Sequence, residues 1–179
     1  EVTEPTEDED IKNLITELKT KNNLTENNFA FFYYNPQTQK YYFDNQEKYF
    51  KGASTIKVPV AMLYYDKIKS GELTEDKQLQ YTSDDYEAGG GTTSATYKVG
   101  SYIPISFLLE QSIINSDNTA VNILIDGIGY RNCREQIAKY SDEQFIDEFF
   151  TTNLITAALG YDIINHIYQN QEDYQQLIE

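Results

Sequence analysis

The chain has 179 residues, 40% of them apolar, 24% charged and 14% aromatic, enough for one globular domain with a sizeable core and too few for two ordinary ones. Fourteen basic against 29 acidic side chains leave a net charge of −15, the wrong sign for coating DNA or RNA, so no nucleic-acid partner is expected. A single cysteine, Cys133, excludes an intrachain disulfide and a Cys-rich zinc site, and a single histidine, His166, argues against a His-based metal centre.

The acidity sits at the two ends. Residues 1–10 carry six acids and no base, and residues 135–179 carry nine acids and one base. The middle, 11–134, is nearly neutral with fourteen acids and thirteen bases. Acidic flanks are read as solvated surface. No apolar run approaches the roughly 20 residues of a membrane span.

In chain order, residues 1–10 form an acidic N-terminal segment ahead of a domain over 11–179. Thr6-Glu7-Asp8-Glu9 reads as a capping box. Ile11, Leu14, Ile15 and Leu18 then follow at the spacing of one apolar helix face, with Lys19 and Lys21 near its C-terminal end. Residues 29–34 and 40–43, rich in Phe and Tyr around Asn35-Pro36, predict a β-hairpin. Residues 54–69 are apolar on most sides and predict a buried helix, with Pro59 tolerated because it lies near the start. Residues 82–102, centred on Gly89-Gly90-Gly91, read as a long loop from which Tyr86 or Tyr97 is a candidate to stack on a ligand. Helices are expected over 105–114, 119–128, 131–140, 151–168 and 172–178. The fold class is therefore α+β: an N-terminal helix and a hairpin, followed by helices without a further convincing strand. A lone hairpin is marginal, so it must pack on helices or find sheet partners outside residues 1–179. Its exposed edge also makes a strand-exchanged homodimer a candidate assembly.

Two motifs carry chemistry. Ser54-Thr55-Ile56-Lys57 is S-x-x-K, and on a helix residues i and i+3 share a face, so the Lys57 amine can reach the Ser54 hydroxyl. Burial would lower the lysine pKa and let it accept that proton, and the helix N-terminus supplies N–H groups for an oxyanion. Ser116-Asp117-Asn118, about 60 residues on, interrupts two apolar helical stretches and can aim Ser116 into a cleft. Read alone, it is equally a capping turn.

Together, Phe50-Lys51-Gly52-Ala53-Ser54-Thr55-Ile56-Lys57-Val58-Pro59-Val60 and Asn115-Ser116-Asp117-Asn118-Thr119-Ala120-Val121-Asn122-Ile123-Leu124 resemble the nucleophile and S-D-N segments of class A β-lactamases and related penicillin-recognising serine enzymes. Thr151-Thr152 with Ala157 and Ala158 resembles the helix after their omega loop. The resemblance implies a catalytic set of Ser54 as acylated nucleophile, Lys57 as its proton partner and Ser116 as proton relay to the leaving nitrogen. Asn118 would hold the carbonyl of the substrate's side chain through its amide, Asp117 would brace the loop, and the Ser54 N–H would form half an oxyanion hole. It further implies a β-lactam or a D-Ala-D-Ala peptide as substrate, no cofactor, no metal, and an extracytoplasmic location without a signal segment in residues 1–179. The related alternatives are a D-Ala-D-Ala carboxypeptidase and an envelope module that only binds.

Two departures stand out. No E-x-x-L-N segment supplies the family's deacylating Glu, and neither Glu143 nor Glu148 has its context. The only K-[ST]-G match, Lys69-Ser70-Gly71, reads as a helix terminus. The family's K-[ST]-G strand is thus expected beyond Glu179, and the chain is expected to be shorter than the fold it resembles.

Overall fold

A computed structural model describes residues 4–88 and 91–178. Of the glycine-rich loop, Gly89 and Gly90 lie outside the described residues.

Strand β1 (Thr6–Glu7) precedes helix α1 (Glu9–Asn22). The expected capping box around Thr6 is corrected: Asp8 is the N-cap, its carboxylate accepting from the Ile11 N–H at 3.2 Å, because Thr6 and Glu7 pair with the hairpin instead. The apolar face of α1 is only partly used, with Ile15 buried while Leu14 and Leu18 are 60% and 41% exposed. The hairpin forms as expected from β2 (Phe31–Asn35) and β3 (Lys40–Asp44). Its companion strand comes from the N-terminus: β1 joins β3 in parallel, giving the order β1-β3-β2. Side-chain alternation sends Phe32 and Tyr34 to one face, where both meet the Tyr161 ring. Asp44, opposite Phe31, lies on the other face and pairs with Lys19 of α1.

Strand β4 (Phe50–Lys51) leads into a 3-10 turn (Ala53–Ile56) and helix α2 (Lys57–Lys69). Val60, Ala61 and Met62 are fully buried, so α2 is the central core helix. The expectation of no strand after the hairpin is also corrected. Strands β5 (Gln78–Gln80) and β6 (Tyr102–Pro104) pair antiparallel. Strand β7 (Leu154–Ile155) pairs with β4, Phe50 opposite Ile155 and Lys51 opposite Leu154. Pieces of two or three residues have no readable period and exist through tertiary pairing.

Between β5 and β6 lies a one-turn helix, α3 (Thr93–Thr96). Helices α4 (Ile105–Ile114) and α5 (Asn118–Ile128) follow the sequence expectation closely, and α6 (Tyr130–Ile137) continues as a 3-10 turn to Tyr140. Helix α7 (Ala157–Gln169) starts later than expected from residue 151, because Leu154 and Ile155 form β7 and Thr156 is the N-cap, accepting from the Leu159 N–H at 2.9 Å. A 3-10 turn (Gln171–Tyr174) and α8 (Gln175–Ile178) close the chain. Tyr140 and Tyr174 both donate to the Asp66 carboxylate, tying these late elements to α2. No helix among the described residues is long and apolar enough to cross a membrane.

Candidate active site

Ser54 lies in the 3-10 turn that joins β4 to α2, and its side chain is exposed. Lys57, one turn later, is 4% exposed. Its Nζ lies 3.1 Å from Ser54 Oγ, so the i, i+3 spacing brings the pair together as expected. Ser116 and Asn118 come from the junction of α4 and α5. Ser116 has a left-handed backbone (φ +50°), which breaks the helical path and turns its hydroxyl back toward α2. Lys57 Nζ is 2.9 Å from Ser116 Oγ, 2.7 Å from the Ser116 carbonyl and 2.6 Å from Asn118 Oδ1. The two hydroxyls are 3.2 Å apart. All four residues singled out from the sequence therefore meet at one point.

Asn118 Oδ1 and the Ser116 carbonyl accept only, and they are the nearest partners of Lys57 Nζ. A neutral amine has two N–H donors, which these acceptors use, and one lone pair, which is left facing the hydroxyls. Burial pulls the Lys57 ammonium below its ordinary value, against the opposing charges of Asp117 and Glu87. The arrangement can thus take a proton from Ser54 and pass one on through Ser116.

Asp117 is fully buried and braces the junction. Its carboxylate caps α5 through the Ala120 N–H at 3.0 Å and accepts the Thr93 N–H of α3 at 2.8 Å. Gly91 has φ +92°, and a Cβ there would stand 2.1 Å from Asp117 Oδ2, so only glycine permits this approach.

The sequence of this chain matches the model of the beta-lactamase enzyme family over residues 8–178. The chain belongs to that family. No curated protein matches it significantly. Among solved structures, it is similar to a Leu-to-Glu variant of PBP-A in an acyl-enzyme complex with penicillin G, with 22% identity, TM-score 0.79 and coverage of 94% of this chain and 65% of that one. A beta-lactamase from Sphaerobacter thermophilus gives TM-score 0.63 at 22% identity, covering 78% of this chain and 58% of that one. A D-alanyl-D-alanine carboxypeptidase from Francisella tularensis gives 0.62 at 17% identity, covering 83% and 38%. At these identities the likeness is one of fold: the helical part of the beta-lactamase architecture, with the hairpin. The chain spans less than two thirds of each of these structures.

Within this beta-lactamase-family fold, Glu143 hydrogen-bonds the Thr156 hydroxyl at 2.7 Å rather than Ser54, Lys57, Ser116 or Asn118. Lys69 ends α2 and Gly71 has φ +77°, as a helix terminus requires. Tyr97 is engaged with Phe107, ring centroids 5.1 Å apart, while Tyr86 is exposed. His166 contacts the Tyr174 hydroxyl at 3.1 Å, and burial pushes the Cys133 thiol up to about 11, which leaves it a poor nucleophile at neutral pH.

Three residues at or beside the site escaped the sequence reading. Glu87 accepts from Asn118 Nδ2 at 2.9 Å and holds that amide in its orientation. Asn153 donates from Nδ2 to the Ala53 carbonyl at 2.8 Å. Arg134, 2% exposed, donates to the Phe149 and Leu154 carbonyls and stacks on the Phe149 ring at 3.8 Å, pinning the segment that carries Asn153. None of the three belongs to a motif, and their contacts join segments far apart in sequence.

Proposed function

We propose that this protein is a penicillin-recognising serine enzyme that is acylated on Ser54 by β-lactams and by D-Ala-D-Ala peptides. The observation that carries the reading is the buried Lys57 amine, in hydrogen-bond contact with both the Ser54 and the Ser116 hydroxyls. Lys57 takes the Ser54 proton as Oγ bonds to the substrate carbonyl carbon, and the carbonyl electron pair moves to oxygen, facing the Ser54 N–H. Collapse of this intermediate breaks the carbon–nitrogen bond, and Ser116 passes a proton from Lys57 to the departing nitrogen. Asn118 presents its amide N–H to the carbonyl of the substrate side chain.

The second half of a beta-lactamase cycle needs a base for the attacking water. Glu143 is occupied by Thr156, so slow deacylation and a penicillin-binding behaviour are favoured over rapid hydrolysis. Incubation with penicillin G followed by intact-mass measurement and peptide mapping tests this. A mass gain of one penicillin on the peptide containing Ser54, persisting for hours, is expected. Rapid loss of the adduct with turnover would make the protein a hydrolysing beta-lactamase, and no adduct at all would remove the acyl-enzyme reading. Ser116→Ala should slow acylation by about 100-fold, the low end for a proton-transfer group, without abolishing it, because Lys57 still contacts Ser54 directly. Stopped-flow acylation with a fluorescent penicillin measures the difference.

A further inference from the structure

Three unusual features converge on the peptide just before Ser54. Ala53 has φ +45°, a left-handed conformation that is strained for a residue with a Cβ. Asn153 Oδ1 is buried with no protein hydrogen-bond partner. That oxygen lies against Gly52, where a Cβ would stand only 2.3 Å away. Strain and an unpaired buried oxygen persist where the surrounding structure imposes them for another purpose. The other end of the same amide supplies one: Asn153 Nδ2 donates to the Ala53 carbonyl at 2.8 Å.

The Ala53 carbonyl and the Ser54 N–H belong to one planar peptide and point in opposite directions. Holding the carbonyl toward Asn153 therefore aims the N–H away from Asn153. A hydrogen bond to that carbonyl also polarises the peptide and strengthens its N–H as a donor. As a first-turn donor of the 3-10 helix, the Ser54 N–H has no partner inside the helix and is available to an oxyanion. The Asn153 backbone is itself fixed. Its carbonyl accepts the Gly52 N–H at 2.8 Å, continuing the β4–β7 ladder, and Arg134 grips the next residue through the Leu154 carbonyl at 2.5 Å.

We propose that Asn153 is a positioning residue that orients and polarises the Ser54 N–H for the acylation oxyanion; this rests on the acyl-enzyme reading above. The test measures the dissociation constant of the initial penicillin complex and the acylation rate constant separately, for the wild type, Asn153→Ala and Asn153→Asp. The aspartate keeps the shape and the backbone pairing but has no N–H for Ala53 while ionised. Both variants are expected to lose about 10- to 100-fold in acylation rate constant, somewhat less than deletion of an oxyanion donor, with the dissociation constant nearly unchanged. The aspartate variant should recover toward the wild-type rate as pH falls and its carboxyl gains a donor proton. Wild-type rates in both variants would overturn the proposal. So would a parallel loss of binding and acylation without recovery of the aspartate variant at low pH, which is the signature of mere structural damage. Failure of the wild-type protein to form any adduct would instead overturn the acyl-enzyme reading.

Discussion

Ser54→Ala is expected to abolish the penicillin adduct, and Lys57→Arg to slow acylation by about 10²- to 10⁴-fold, the range for losing a positioned general base. Arginine keeps the positive charge but cannot act as a base, and its planar fork does not match the compact cluster of acceptors around Lys57 Nζ. The pH profile separates a base from a mere cation. Free lysine titrates near 10.4, and burial holds Lys57 below its ordinary value. The neutral amine is therefore populated at lower pH than in the unfolded chain, and the wild-type acylation rate should climb with pH through this lowered pKa and then level off. Folding stability has the same sign: the fold disfavours charged Lys57, so this contribution improves as pH rises from the folded toward the unfolded pKa. Glu87→Gln removes a negative neighbour that opposes the shift and should move the climb to lower pH. Lys57→Arg should show no such climb. A climb that persists unchanged in the arginine variant would assign the titrating group elsewhere.

Asp117→Ala should be the most destabilising change at the site. The carboxylate is fully buried and accepts both the Thr93 and Ala120 N–H groups. Its removal strands two donors, each at about 1–3 kcal/mol, for a total of about 2–6 kcal/mol. That is a large part of the 5–15 kcal/mol expected of a whole domain. The loss should appear as a lower thermal midpoint with acylation impaired at the same time, since Asp117 holds α3 against the turn that presents Ser116. Asp117→Asn keeps one acceptor oxygen and should fall between the two. A thermal midpoint for Asp117→Ala equal to that of wild type would show that the capping and cross-linking bonds are dispensable.

The candidate site was legible to the extent that it is local. S-x-x-K places two side chains on one helical face over four residues, and the bonding of Lys57 to Ser54 needs little beyond that helix. The Ser116 turn was legible as a break between two apolar helical runs, and α4 and α5 begin and end close to where those runs do. Short-range pattern and tertiary pairing disagree at the short strands. Residues 151–156 look like the first turn of an apolar helix, yet Leu154 and Ile155 gain a partner in β4 that no neighbouring residue could supply. The capping motif at Thr6 failed for the same reason, since β1 is recruited by Lys40 and Tyr41 of the hairpin.

By itself, the sequence determined the α+β character, the buried central helix, the hairpin and the identity of the three residues, Ser54, Ser116 and Asn118, that meet the Lys57 amine. Periodicity and capping act within a few residues, so they are written in local order. Only the tertiary structure decided that Glu87 holds Asn118, that Arg134 grips the segment before α7, and that Asn153 reaches the peptide of the nucleophile across 100 residues of chain. These contacts depend on how β4, β7 and the α4–α5 junction pack around α2. No spacing along the chain encodes that packing, and ordinary residues such as asparagine and glutamate acquire a role only from where it leaves them.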